Sequence, residues 1–214
     1  MRREEEQSVS PARAALRDAT RAAHLRLHGH PALAALAAGT IAPTQYLQLL
    51  ARLYGFHLPF ERALIEAAPR HGVDLRIGAR AHLLARDLVD LGAKREAIAG
   101  LPMATAPALR SPGEWLGALY VREGSTLGAA RLAAALDPLL GAGNPRGRRF
   151  LSGGDAESWR ECCAALEEGA RRGLLPEIVE GARASFQAIE LWLADRDGAP
   201  ISVRAAPGRW TQCA

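Results

Sequence analysis

Between Pro43 and about Ala68, Tyr46, Leu49, Leu50, Leu53, Tyr54, His57 and Leu58 recur at i, i+3 and i+4. That spacing lays one apolar stripe along an α-helix and has no place on a strand, where successive side chains change face. A helix of about seven turns with a single apolar stripe needs other helices to cover it. The rest of the chain agrees. Val, Ile and Thr are few beside Ala, Leu, Arg and Glu, a balance that favours helix over strand nearly everywhere. The expectation is an all-α, single-domain fold. Aromatic residues make up only 5% of the chain, so the core should be aliphatic, with Trp115, Trp159 and Trp192 as its large pieces.

Punctuation by Pro and Gly divides the chain. Residues 1–10 read as a disordered leader, and the domain is expected over 11–195. A first helix should begin near Pro11 and end near Gly29-His-Pro31, followed by a short one from Ala32 to Ala38 that stops at Gly39. Another runs from about Ala79 to Leu91, ahead of Gly92. After a Pro-containing linker over 101–113, one long helix is expected from about Gly113 to Leu140. A loop over 141–154 and two helices, about Asp155–Arg172 and Pro176–Ala194, complete the domain, and 196–214 reads as a mobile tail.

Several function classes are disfavoured. No apolar run approaches the roughly 20 residues that span a bilayer. The segment Met1–Gln7 is charged and lacks the apolar stretch of a secretory signal. Three cysteines, Cys162, Cys163 and Cys213, make no disulfide framework. A soluble, cytoplasmic protein without membrane contact is expected. The net charge of +4 and pI near 9.4 raise the question of nucleic acid. Arginine is spread over many helices, however, and no basic run is interleaved with aromatics, so none is expected. The dense run Arg146-Gly-Arg-Arg149 reads as a solvated connection, or as a docking patch for an acidic electron-transfer partner.

Two segments carry chemistry. In the first helix, Leu16, Ala19, Ala23 and Leu27 form an apolar stripe, and His24 lies beside it among alanines. Arg17 and Arg21 precede His24 by seven and three residues, so they share nearly its face one and two turns back. One imidazole beside two guanidinium groups suits an iron porphyrin, whose metal takes a nitrogen ligand and whose propionates need cations. An ordinary histidine on an amphipathic helix is the alternative. In the second segment, Trp115 to Leu132, Gly124 and Gly128 stand four residues apart inside a run that otherwise reads as helix. Each glycine costs roughly 1 kcal/mol there relative to alanine. Close approach of bare backbone to a ligand would explain them; so would a tight helix–helix seam.

Taken together, the two segments resemble the heme oxygenase family. Its proximal helix presents a leucine, a basic residue, an Ala-Thr pair, a second basic residue and the ligand histidine, matched by Leu16, Arg17, Ala19-Thr20, Arg21 and His24. The run Tyr120-Val-Arg-Glu-Gly-Ser-Thr-Leu-Gly128 looks most like the bacterial heme oxygenases that supply bilin to bacteriophytochromes. The resemblance covers about residues 13–195. It implies haem held between a proximal and a distal helix, with haem both substrate and oxygen-activating group. By the same resemblance His24 is the axial metal ligand, and Arg17 and Arg21 align with basic residues near the propionates. Gly124, Ser125 and Gly128 form the distal catalytic segment, and Tyr120 falls one position from a propionate-contacting tyrosine. The implied products are biliverdin, carbon monoxide and ferrous iron. An external electron donor (a reductase, a ferredoxin or another) is required, and a bacteriophytochrome is a candidate acceptor.

Two positions depart from the family's animal enzymes. The acidic residue four after the proximal histidine is His28 here, and the distal aspartate is Ser125. A metal-bound histidine needs an acceptor on its other nitrogen, a part that His28 or a backbone carbonyl would have to take. These missing carboxylates motivate a second reading, a non-catalytic haem-binding or haem-trafficking protein on the same fold. Elsewhere, His28-Gly-His30 reads as a solvent-facing pair rather than a metal site, and His57 as a satisfied core histidine. Glu123 reads as a surface partner of Arg122 or Arg131, and Cys162 and Cys163 as small packing residues.

Overall fold

The computed structural model describes residues 10–75 and 77–194, and among them every regular element is helical. The leader, Ser10 apart, and the tail lie outside the described residues. Eleven α-helices follow in order: α1 Pro11–His28, α2 Pro31–Ala37, α3 Pro43–Ala67, α4 Ala81–Asp90, α5 Arg95–Ala99, α6 Pro112–Gly124, α7 Ala129–Ala134, α8 Asp137–Leu140, α9 Arg149–Ser152, α10 Ala156–Arg171 and α11 Leu175–Ala194. Ser10 belongs to the domain rather than to the leader. Its hydroxyl accepts from the Arg13 N–H to cap α1, and donates to Glu167 on α10.

Helix α3 is the spine. Its first half, with Tyr46, Leu47 and Leu50, packs into one core with Leu84 and Leu88 of α4 and Leu136 before α8. Its second half, with Phe56, Phe60 and Leu64, enters another with Leu16 of α1, Trp115 of α6, Leu166 of α10 and Ile178 of α11. Pro59 sits inside this helix and cannot bond the carbonyl four residues back. That carbonyl, of Gly55, instead accepts the Ala104 N–H at 2.9 Å, which ties the 101–111 linker to α3. Of Trp115, Trp159 and Trp192 only Trp115 is fully buried, its indole N–H donating to the Leu64 carbonyl at 2.8 Å. Trp159 and Trp192 are half-buried, and Trp192 clamps the end of α11 to the Arg52 carbonyl of α3.

The expected loop over 141–154 contains α9. Its start is capped by the buried Asp87 carboxylate, which accepts the N–H groups of Arg149 and Phe150, each at 2.9 Å. The basic run is therefore not simply a solvated connection, since Arg148 and Arg149 are engaged within the protein. Arg148 is only 5% exposed and donates to the Ala133 and Gly141 carbonyls and to Asp137. Arg149 is paired with Asp87 and Asp90, leaving Arg146 as the exposed member beside Asp90.

A second correction concerns the long helix expected over 113–140. It is three helices, because α6 stops at Gly124 and α7 starts after Gly128. The Ser125 hydroxyl donates to the Arg122 carbonyl at 2.6 Å and the Thr126 hydroxyl to the Glu123 carbonyl at 2.7 Å, displacing the regular helical bonds. Thr126, Leu127 and Ala129 then bond three residues back instead of four, which tightens the chain into a turn.

Candidate active site

On α1 the row Ala12, Leu16, Thr20, His24, His28 runs along one face at i, i+4 spacing. Its first three members are buried, at 2%, 0% and 3% exposure, whereas His24 and His28 are exposed. The inward face of α1 thus leaves the core at His24. Leu16 is the fully buried member of the expected stripe; Ala19, Ala23 and Leu27 are half-buried beside it. Thr20, which the expected apolar stripe does not include, replaces them in the core, its hydroxyl donating to the Leu16 carbonyl at 2.8 Å.

The His24 ring lies edge-on to Phe186 of α11, with centroids 6.3 Å apart. Its Nε2 is 3.3 Å from Nε2 of His28, one turn on. Partial burial, and then the neighbouring His28, hold the His24 pKa below the ordinary imidazole value. His28 therefore turns back toward His24 rather than forward to His30, whose Nδ1 is buried without a hydrogen-bond partner. Arg17 and Arg21 are both exposed, Arg17 lying 3.9 Å from Asp18. Arg26, in the last turn, makes a two-pronged ion pair with Glu190 of α11 at 2.9 and 3.0 Å.

Tyr120 connects α6 to this helix. Burial raises the pKa of its phenol, and the nearby Thr20 hydroxyl and Arg17 charge oppose that shift. Its ring also meets Trp159 of α10 at 6.0 Å. His24 lies one turn past Thr20 on α1, and Gly124 one turn past Tyr120 on α6. At Gly124 an added Cβ would touch only the Trp159 ring, at 3.7 and 3.9 Å, and at Gly128 it would meet nothing within 4 Å. Neither glycine is a helix–helix seam. That function belongs to Gly117 and Gly181, where a Cβ would strike the Ile178 carbonyl on α11 and the Glu114 carbonyl on α6 respectively.

Behind the end of α6 lies a buried polar cluster that sequence reading missed. The Glu61 carboxylate accepts the N–H groups of Arg80 and Ala81 at 2.9 Å and the Arg122 guanidinium at 3.3 Å. Arg122 also pairs with Glu123 and donates to the Gly78 carbonyl. Glu123 is thus a buried ion-pair partner, at 3% exposure, and not a surface one. The available signal was Glu61 at i+4 from His57 on the apolar side of α3. His57 is buried against Phe56 and Phe150, and its pKa is pushed down to about 3 by burial and then by Arg122 and Arg80. Cys162 packs in the core as expected, and burial raises its thiol pKa; Cys213 lies outside the described residues.

Among the described residues no helix is long and apolar enough to cross a membrane, and no group of three or more His, Cys, Asp or Glu could hold a metal. No curated protein matches the chain. A solved structure of heme oxygenase from Neisseria meningitidis, bound to NO and CO, is similar in fold, with a TM-score of 0.61 and 24% identity over 91% of this chain and 96% of that one. A family model described as heme oxygenase matches residues 10–195. Spanning nearly the whole of the described helical domain, that match shows that the chain belongs to the heme oxygenase family.

Proposed function

We propose that this chain opens haem to biliverdin, carbon monoxide and ferrous iron, with His24 as the residue that would hold the iron. The observation that carries this reading is the buried row of α1, which emerges uncovered at His24. An apolar helix face left open at an imidazole fits a flat apolar ligand with a metal centre. The residues present fit haem in three further respects. The low pKa of His24 favours the neutral ring that a metal requires. Exposed Arg17 and Arg21 can reach carboxylates from the same helix. Bare backbone at Gly124 and Gly128, where an added Cβ would meet only the Trp159 ring or nothing within 4 Å, leaves room for a ligand to approach closely.

When bound, haem supplies both the iron that activates oxygen and the ring that is oxidised. Electrons come from an external donor, and a bacteriophytochrome is a candidate acceptor of the biliverdin. The protein's part is ligation, orientation and water control. His24 would hold the iron in place of its present contact with His28. Arg17, Arg21 and Tyr120 would hold the propionate edge. Ser125 commits its proton to the Arg122 carbonyl and keeps oxygen lone pairs to accept from water, so it positions water rather than delivering a proton. Titrating haemin into the protein should give a saturable Soret band, lost or weakened at least tenfold in His24→Ala. An undiminished band in that variant would remove His24 from the metal.

The committed Ser125 proton is also the observation that favours the second reading, a haem carrier without turnover. Haem that stays intact under reductant in air, with a donor present, would select it.

A further inference from the structure

His24 and His28 form a pair whose geometry goes beyond one hydrogen bond. The two Nε2 atoms are 3.3 Å apart, the ring centroids 4.4 Å apart and the planes tilted by 57°. Zinc takes imidazole nitrogen at about 2.0–2.1 Å, so an ion at that distance from both atoms would subtend an N–Zn–N angle of about 104–111°. Those values bracket the tetrahedral angle. A square-planar ion asks for about 90°, hence nitrogens only about 2.8–3.0 Å apart, and fits this spacing less well.

The surroundings suit a cation. Both residues belong to the last turn and a half of α1, where the helix dipole places its negative end. Arg26, between them in sequence, is drawn to Glu190 on α11 and its charge is neutralised there. Both rings are exposed, so an ion can enter and leave and water can complete its shell. Among the described residues no third protein ligand gathers around the pair, the pattern of an exchangeable rather than a structural site.

We propose that the haem-free chain binds one zinc ion through Nε2 of His24 and Nε2 of His28, and that zinc and haem compete for His24. The competition rests on the ligand role proposed for His24; the zinc site does not. The pair thereby makes haem loading sensitive to free zinc.

The test is calorimetric titration of the haem-free full chain with zinc chloride. One site per chain is expected, weakened at least tenfold in His24→Ala and in His28→Ala, and unchanged in His30→Ala. These two exposed positions tolerate alanine, and unchanged far-ultraviolet circular dichroism checks the fold. Haemin titrated under saturating zinc should then bind at least fivefold more weakly in the wild type and less than twofold more weakly in His28→Ala. Absence of a saturable zinc isotherm, or equal affinity in His28→Ala, would overturn the site. A zinc site that needs both histidines but leaves haemin binding unmoved would overturn the competition. Haem retained by His24→Ala would instead remove the ligand role of His24, with the zinc isotherm left standing.

Discussion

Burial and two cations act on His57 in the same direction. With its pKa down to about 3 in the fold, the ring stays neutral there while the unfolded chain protonates it below about 6.5. Between those values the unfolded state binds more protons, so stability falls as pH falls from about 6.5 toward 3. At pH 5 the loss attributable to this residue reaches about 2 kcal/mol. Urea denaturation of wild type and His57→Gln at pH 7 and pH 5 should show the wild type losing that much more; parallel losses would contradict it. Glu61 gives a second residue-level prediction. Its carboxylate is buried and holds Arg122 and two backbone N–H groups. Glu61→Ala should cost about 3–5 kcal/mol, since it strands a buried guanidinium, with a lower unfolding midpoint as the readout. His57 was legible as a core histidine. The four charges near it were not, because only the fold brings positions 61, 80, 122 and 123 together.

At the scale of elements, α6 and its glycines separate two uses of the same residue. Gly117 and Gly181 let the backbones of α6 and α11 touch, and a Cβ at either would overlap the facing helix. Gly117→Ala should therefore lower the thermal midpoint by several degrees, as a loss of about 2–3 kcal/mol does in a domain of this size. Gly128 has a right-handed backbone, with φ −90°, and open space where a Cβ would stand. Gly128→Ala should leave the midpoint within about 2 °C, equivalent to less than 1 kcal/mol, while altering haem turnover. A large drop for Gly128→Ala and none for Gly117→Ala would reverse the assignment. The sequence singled out the pair at 124 and 128 and passed over the seam pair. Seam glycines show only when two distant helices are placed face to face. The break after Gly124 was hidden for a related reason: Ser125 and Thr126 are compatible with helix, and their hydroxyls end it by bonding carbonyls three residues back.

For the molecule as a whole, one long helix is shared by two cores, and the proposed site lies where the inward face of α1 runs out of core to meet. Helices with strong periodicity, α1, α3, α10 and α11, were readable nearly to their ends, because their apolar stripes and Pro or Gly boundaries are local signals. Short helices such as α5 and α9 were not, since α9 exists through capping by Asp87, sixty-odd residues away. The proposed site residues stand out in the sequence as motifs; their contacts, above all that of His24 with His28, do not. The account turns on haem opening with His24 as ligand. Its most direct test is an absorption time course of the haemin-loaded wild type and His24→Ala, with reductant and catalase in air. The wild type should lose its Soret band as a broad red band grows and chromatography identifies biliverdin, while His24→Ala produces none. Equal biliverdin from both proteins, or a wild-type Soret band that persists with an electron donor supplied, would contradict it.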